Sequence, residues 1–318
     1  MIGPLPSDAR AVLERGAFCS LAATTRHGPH VTPTVFVLAD DRVWVTTSRG
    51  SVKARAWRLE PAVAGLVRSD DVAVVFTGSV RTFDLLEVDS WVRDLLEAPA
   101  LTVAATRFTR KNARFFAGYA VDARHVPLSW TPPGRVFTAI EIERLAIVGP
   151  GGVAETFGEW PRGLVSIARF RAARTVPPVL EALPEDVRGP LGDRGEGALA
   201  LEGDGGPVVL PVSWVTDGGS LYAATSRETL GLASLSQTRV RAALAIDRSS
   251  WWRARNMTGA MLRGSGEVAI AEALVSGAAS ATRVARASGA ERGAAVVRLR
   301  AEQLVWWRGW SSGTVAVA

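Results

Sequence analysis

The chain has 318 residues, more than one hydrophobic core usually serves, so two domains are expected. Hydrophobic residues at 47% and charged residues at 21% exclude a disordered chain. There is no stretch of about 18 apolar residues and no leader-like opening in "MIGPLPSDAR", so neither a membrane span nor export is expected, and the predicted location is cytoplasmic. The net charge of +6 raises nucleic acid as a partner. However, the arginines are scattered, no five like charges run together and no known nucleic-acid-binding pattern occurs, so neither nucleic acid nor membrane is expected as a partner.

In chain order, Ser7 is predicted to cap a short helix that ends near Arg15, with Gly16 as its stop. A strand over residues 17–24 leads into the polar turn "TRHG". "HVTPTVFVLA" and "RVWVTT" are rich in β-branched and aromatic residues and flank Asp40-Asp41, the pattern of a hairpin. Gly50 breaks the third strand, and "SVKARAWRLE" has helical spacing up to Pro61. "AVAGLV" and "VAVVFTGSVRTF" supply two more strands, residues 84–133 carry helical periodicity, and a last strand follows "TPPGR".

The chain repeats itself. Shifted by 178 places, Leu21–Arg49 aligns without a gap on Leu199–Arg227 with ten of 29 positions identical, where composition alone gives roughly two or three. Gly28-Pro29 meets Gly206-Pro207, Pro33 meets Pro211, and Thr47-Ser48-Arg49 meets Thr225-Ser226-Arg227. "GSVR" at Gly78 and "GSGE" at Gly264 correspond further on. Six short strands with a helix after the third suggest a small closed barrel, because closure removes exposed edges. The expected fold is therefore mainly β with helices (α+β): two tandem six-stranded antiparallel barrels, over residues 1–150 and 174–318, joined by a linker at 151–173.

The succession "LAATTRHGPHVTPTVF", "VWVTTSRGSVKARAW", "EPAVAGLV" and "VFTGSV" resembles the split β-barrel family related to pyridoxamine 5'-phosphate oxidase. That superfamily also includes enzymes that use the deazaflavin coenzyme F420 and some haem-binding proteins. The resemblance implies a cofactor at the interface of two barrels, with its phosphate seated at the crossing after the third strand. Thr47, Ser48, Arg49 and Ser51 lie where a strand passes into a helix, whose first N–H groups favour an anion. Lys53 and Arg55 can neutralise a phosphate; the alternative is a solvated basic helix face. Lys53 is one of only two lysines among 37 basic residues.

The resemblance also implies that Pro33, Thr34, Val35 and Phe36 edge the cofactor ring. Trp306, Trp307 and Trp310 can cover it, with Trp251 and Trp252 as further candidates, although tryptophans equally fill cores. In the second copy Gly231 stands at the place of Lys53 and Ala233 at that of Arg55, and Glu228 is introduced. One charged site and one degenerate site are therefore expected, in a monomer acting as a pseudo-dimer or in a homodimer.

FMN is the first choice of cofactor, F420 the alternative and haem a third. The expected function is flavin-dependent transfer of hydride or electrons to a small organic substrate; the alternative is a non-catalytic flavin- or haem-binding sensor. No catalytic residue stands out, because in flavin chemistry the ring performs the transfer. His27 and His30 are read as turn histidines in water, without the partners a metal site needs. His125 is a lone candidate haem ligand, and Cys19 is read as a buried apolar side chain that leaves no disulfide or cysteine metal cage.

Overall fold

A computed structural model describes residues 2–84, 97–122, 124, 134–161, 178–217, 220–248, 254–270 and 294–317. Helix α1 (Ser7–Arg15) begins at its predicted cap, one residue earlier than expected. Pro6 holds the cap position with φ −55° and ψ 145°, and Ser7 is already helical. Gly16 follows with φ −57°, so it is not a left-handed stop. It is required because a Cβ there would lie 2.2 Å from Val67 Cγ1.

Strands β1 (Phe18–Thr25), β2 (Gly28–Ala39) and β3 (Arg42–Ser48) form the antiparallel meander read from the sequence. Asp40 and Asp41 both take positive φ, 51° and 59°, the tight hairpin turn whose twist matches the flanking strands. Helix α2 (Val52–Leu59) follows, then β4 (Ala62–Ser69) and β5 (Val72–Phe83). Helices α3 (Ala98–Lys111) and α4 (Ala113–Val121) occupy the described part of the periodic segment, and β6 (Arg135–Gly149) completes the ring. β6 pairs with both β5 and β3, so six strands close into a barrel with order β3-β2-β1-β4-β5-β6. A seventh strand, β7 (Gly152–Phe157), lies inside the stretch read as linker and adds to the free end of β6.

The second half repeats this order: β8 (Arg194–Gly203), β9 (Gly206–Asp217), β10 (Ser220–Ser226), β11 (Arg239–Asp247), β12 (Thr258–Ile270), β13 (Ala294–Arg308) and β14 (Ser311–Ala316). It also closes, through β10 with β13. The repeat extends beyond the aligned stretch. Leu5, Ala9 and Leu13 of the first copy are matched 178 places later by Leu183, Val187 and Leu191, on a 3₁₀ turn (Val179–Ala182) with its exit and helix α5 (Glu185–Leu191). All six are buried. The paired glycines also coincide in role. Gly78 and Gly264 each sit at a bulge, where an added Cβ would lie 1.9 Å from the carbonyl oxygen of Glu141 and 2.0 Å from that of Arg300.

Alternation along the strands divides the core. Leu21, Phe36, Val43, Phe76 and Ile140 fill the first barrel, and α1 packs on them. The opposite faces of β1, β2, β4 and β5, through Ala22, Val31, Ala64, Leu66 and Val75, join one continuous apolar cluster with the second barrel. Polar contacts flank it: Arg68 donates to Gly197 O at 2.6 Å, and Arg144 donates to Gly205 O at 2.7 Å. On the outer side Trp44 lies between Phe83 and Phe137, with ring centres 5.6 and 5.2 Å away, beneath α3 and α4. Among the described residues no helix is long and apolar enough to cross a membrane.

Candidate functional site

Strand β2 is buried along most of its length except at Thr32, Pro33 and Thr34, and there a cavity of about 330 Å³ opens between the barrels. One wall is the crossing from β3 to α2. Ser51 caps α2, its Oγ accepting from the N–H of Ala54 at 3.1 Å, and that same Oγ lies 2.9 Å from Thr47 Oγ1. The N–H groups of Val52 and Lys53 belong to the first helical turn and have no intrahelical acceptor. Thr47, Ser48, Ser51 and Lys53 all line the cavity.

Lys53 is only 7% exposed and, among the described residues, makes no ion pair. Burial, with a smaller contribution from the Arg135 charge, pulls its ammonium down from 10.5 to about 8. Arg135 arrives from β6, whose register sets it opposite Ser48. Its guanidinium donates to Thr46 Oγ1 at 2.7 and 3.0 Å and to Thr46 O at 2.8 Å, which fixes it beside the crossing. No carboxylate is among the described residues lining this cavity.

The second barrel supplies the facing wall. Trp306 and Trp307 on β13 line the cavity together with Met257 and Gly309. Trp307 Nε1 donates to Asp247 at 3.4 Å. Glycines make room for both indoles: a Cβ on Gly259 would lie 2.3 Å from the Trp307 ring, and one on Gly313 would lie 2.7 Å from Trp306. Phe18 and Phe115 close the apolar end.

Of the residues expected to hold a cofactor, Pro33, Thr34, Val35, Thr47, Ser48, Ser51, Lys53, Trp306 and Trp307 converge on this one cavity, and four do not. Phe36 points into the first barrel, fully buried beneath the Lys111 ammonium, which lies 3.7 Å from its ring centre. Arg49 turns away to pair with the buried carboxylate of Asp84 at 2.7 Å. Arg55 is exposed, because it lies on the face of α2 opposite the buried Ala54, Ala56 and Trp57. Trp310 packs against the outer cluster of β2 and α3. Trp251, Trp252 and His125 lie outside the described residues.

His27 is an exposed turn residue, as read from sequence. His30 is not. It is a strand residue paired with Ala23, 8% exposed and lining the cavity, because the second barrel covers it. Arg135 and His30 were both missed: strand pairing across the barrel brings in the first, and burial by the other half conceals the second. Cys19 is fully buried, and burial pushes its thiol up to about 12. No group of three or more metal-binding side chains occurs among the described residues.

The corresponding place in the second barrel is also a cavity of about 330 Å³, walled by Thr225, Ser226 and Thr229 of β10 and α6 (Arg227–Gly231) and by the β6–β7 turn. Its charge is reversed. Gly231 replaces Lys53, Ala294 sits opposite Ser226 where Arg135 sits opposite Ser48, and Asp70, Asp71 and Glu196 line it with Arg68. No tryptophan is among the described residues that line it.

The two closed barrels enclose a basic cavity between them, and the residues that line it fit a flavin phosphate. Residues 6–124 match the family described as pyridoxamine 5'-phosphate oxidase. The match lies within the amino-terminal half, and the carboxyl-terminal half repeats the same barrel. No curated protein matches the chain. Solved structures similar to it include a protein titled F420 reductase, at 18% identity over 45% of this chain and 98% of that one with TM-score 0.31. An FAD-binding protein from Mesorhizobium loti is 19% identical over 45% and 94%, TM-score 0.30. An FMN-binding protein related to pyridoxamine 5'-phosphate oxidase, from Nostoc punctiforme, is 14% identical over 45% and 79%, TM-score 0.31.

Proposed function

We propose that this chain is a cytoplasmic flavin-dependent oxidoreductase that holds one FMN in the basic cavity and acts on a small organic substrate. The observation that carries the reading is Lys53: a buried ammonium that, among the described residues, has no ion pair and shares a cavity with Arg135 and no carboxylate. An uncompensated buried charge is costly, and a bound anion offsets that cost. At neutral pH the Lys53 ammonium, with the Arg135 guanidinium beside it, suits the dianion of a phosphomonoester. Ser51, Thr47 and the first N–H groups of α2 would complete the phosphate seat, while Pro33 to Val35 would edge the ring and Trp306 and Trp307 would cover it. When bound, the flavin supplies hydride or electron transfer; the protein orients it and keeps water from its face.

The test is the absorbance spectrum of the purified protein, followed by an FMN titration read by flavin fluorescence. A flavin spectrum or saturable FMN binding is expected. Lys53→Ala combined with Arg135→Ala should weaken that binding by about a hundredfold, since each removes a hydrogen bond to a charged group. A wild-type protein that ignores FMN, or a double variant that binds it as well as wild type, overturns the reading.

A further inference from the structure

His30 is the one histidine whose ring lines the basic cavity among the described residues. It projects from β2, and the groups whose charges reach it are Lys53 from α2 and Arg263 from β12 of the second barrel. The next residue, Val31, is anchored to that same strand, its N–H donating to Met261 Sδ at 3.2 Å. No acid faces His30 from either barrel among the residues lining the cavity.

The imidazole is held neutral. Burial first, then the charges of Lys53 and Arg263, lower it from 6.5 to about 3. Nδ1 is sealed within the protein and has no hydrogen-bond partner, which leaves Nε2 as the nitrogen that can meet a ligand. A neutral imidazole carries one proton. A dry N–H without an acceptor is rarer than an under-used acceptor lone pair. The tautomer that leaves the lone pair on the sealed Nδ1 places the proton on Nε2, toward the cavity.

We propose that His30 is a third member of the anion seat, a neutral donor whose Nε2–H bonds a phosphate oxygen of the ligand beside Lys53. This rests on the reading of the cavity as a phosphate site. It assigns a role to a residue that neither the family match nor the motif "TSRGSVKAR" marks. It also adds to the contrast between the halves, because Val208 occupies the corresponding place in the second copy. A neutral donor bonds the phosphate without competing for its proton, so the contact persists from about pH 5 to 8, where an ordinary histidine would titrate.

Two measurements test this on the full-length protein. In the first, His30→Val and His30→Gln are titrated with FMN and with riboflavin, which lacks the phosphate. His30→Val should weaken FMN by about tenfold or more and leave riboflavin within about twofold, and His30→Gln, which keeps an N–H donor, should recover part of the loss. In the second, nitrogen NMR follows the ring of His30, assigned among three histidines by its absence in His30→Gln, during addition of inorganic phosphate. A neutral Nε2–H ring whose signals move with phosphate, in the same way at pH 5.5 and 7.5, is expected. Equal FMN affinity in His30→Val, equal losses for FMN and riboflavin, a ring that titrates near pH 6.5, or a ring indifferent to phosphate overturns the proposal. A wild-type protein that ignores FMN while its His30 ring responds to phosphate upholds this contact and overturns the flavin reading instead.

Discussion

Lys53 stores the tension of the site. Its folded-state value, near 8, lies below the 10.5 of an exposed lysine. Between those values the unfolded chain binds the proton more strongly, so stability rises with pH across this window and the cost is fully present below it. At neutral pH that cost is about 3 kcal/mol. Lys53→Met should therefore melt at a higher temperature than wild type without ligand, while losing FMN affinity; a lower melting temperature would show that the ammonium is already satisfied. FMN binding to the wild type should weaken as pH rises through about 8, where Lys53 loses its proton. His30 acts in the same direction at lower pH: its depressed value makes stability fall as pH drops below 6.5, where the unfolded imidazole charges and the folded one does not.

The crossing from β3 to α2 depends on a clamp that none of its own residues announces. Asp84, at the end of β5 and 1% exposed, accepts from Arg49 at 2.7 Å and from Arg58 at 3.3 Å, so one carboxylate ties both ends of the crossing to the barrel. Only the carboxylate is fully buried, and both arginines reach water, so its removal costs less than the about 3 to 5 kcal/mol of a fully buried pair. Asp84→Ala should lower the melting temperature and also weaken FMN, because the first turn of α2 is no longer held; thermal denaturation with and without FMN measures both. At this scale the sequence was legible wherever the signal was local. Asp40-Asp41 marked a hairpin, and Thr47, Ser48, Ser51 and Lys53 marked a polar crossing because they are close in the chain. Arg49 and Arg55 were misplaced for the same reason: proximity in sequence does not reveal that Asp84 captures one guanidinium or that helical phase turns the other outward. Arg135 is 82 residues beyond Lys53 and meets it only through the closure of β6 on β3.

For the whole molecule, the duplication was visible in the 178-residue shift, and its geometry was not. Leu21 and Ala22 read as an ordinary apolar strand, yet one fills a barrel and the other joins the core shared by both halves. The same sharing buries His30. The two cavities are similar in size and opposite in character, so the chain should bind one FMN, not two. The ratio of flavin to protein absorbance after gel filtration checks this, and a value near two would show that Asp70, Asp71 and Glu196 do not exclude the phosphate.

The covalent joining of the barrels has a consequence for how such a protein can change. In a pair of identical subunits every substitution is written twice, and losing an anion seat in one place means losing it everywhere. Here the codon for residue 53 and the codon for residue 231 are separate texts, so one pocket can be spent on a new ligand while the other keeps its occupant.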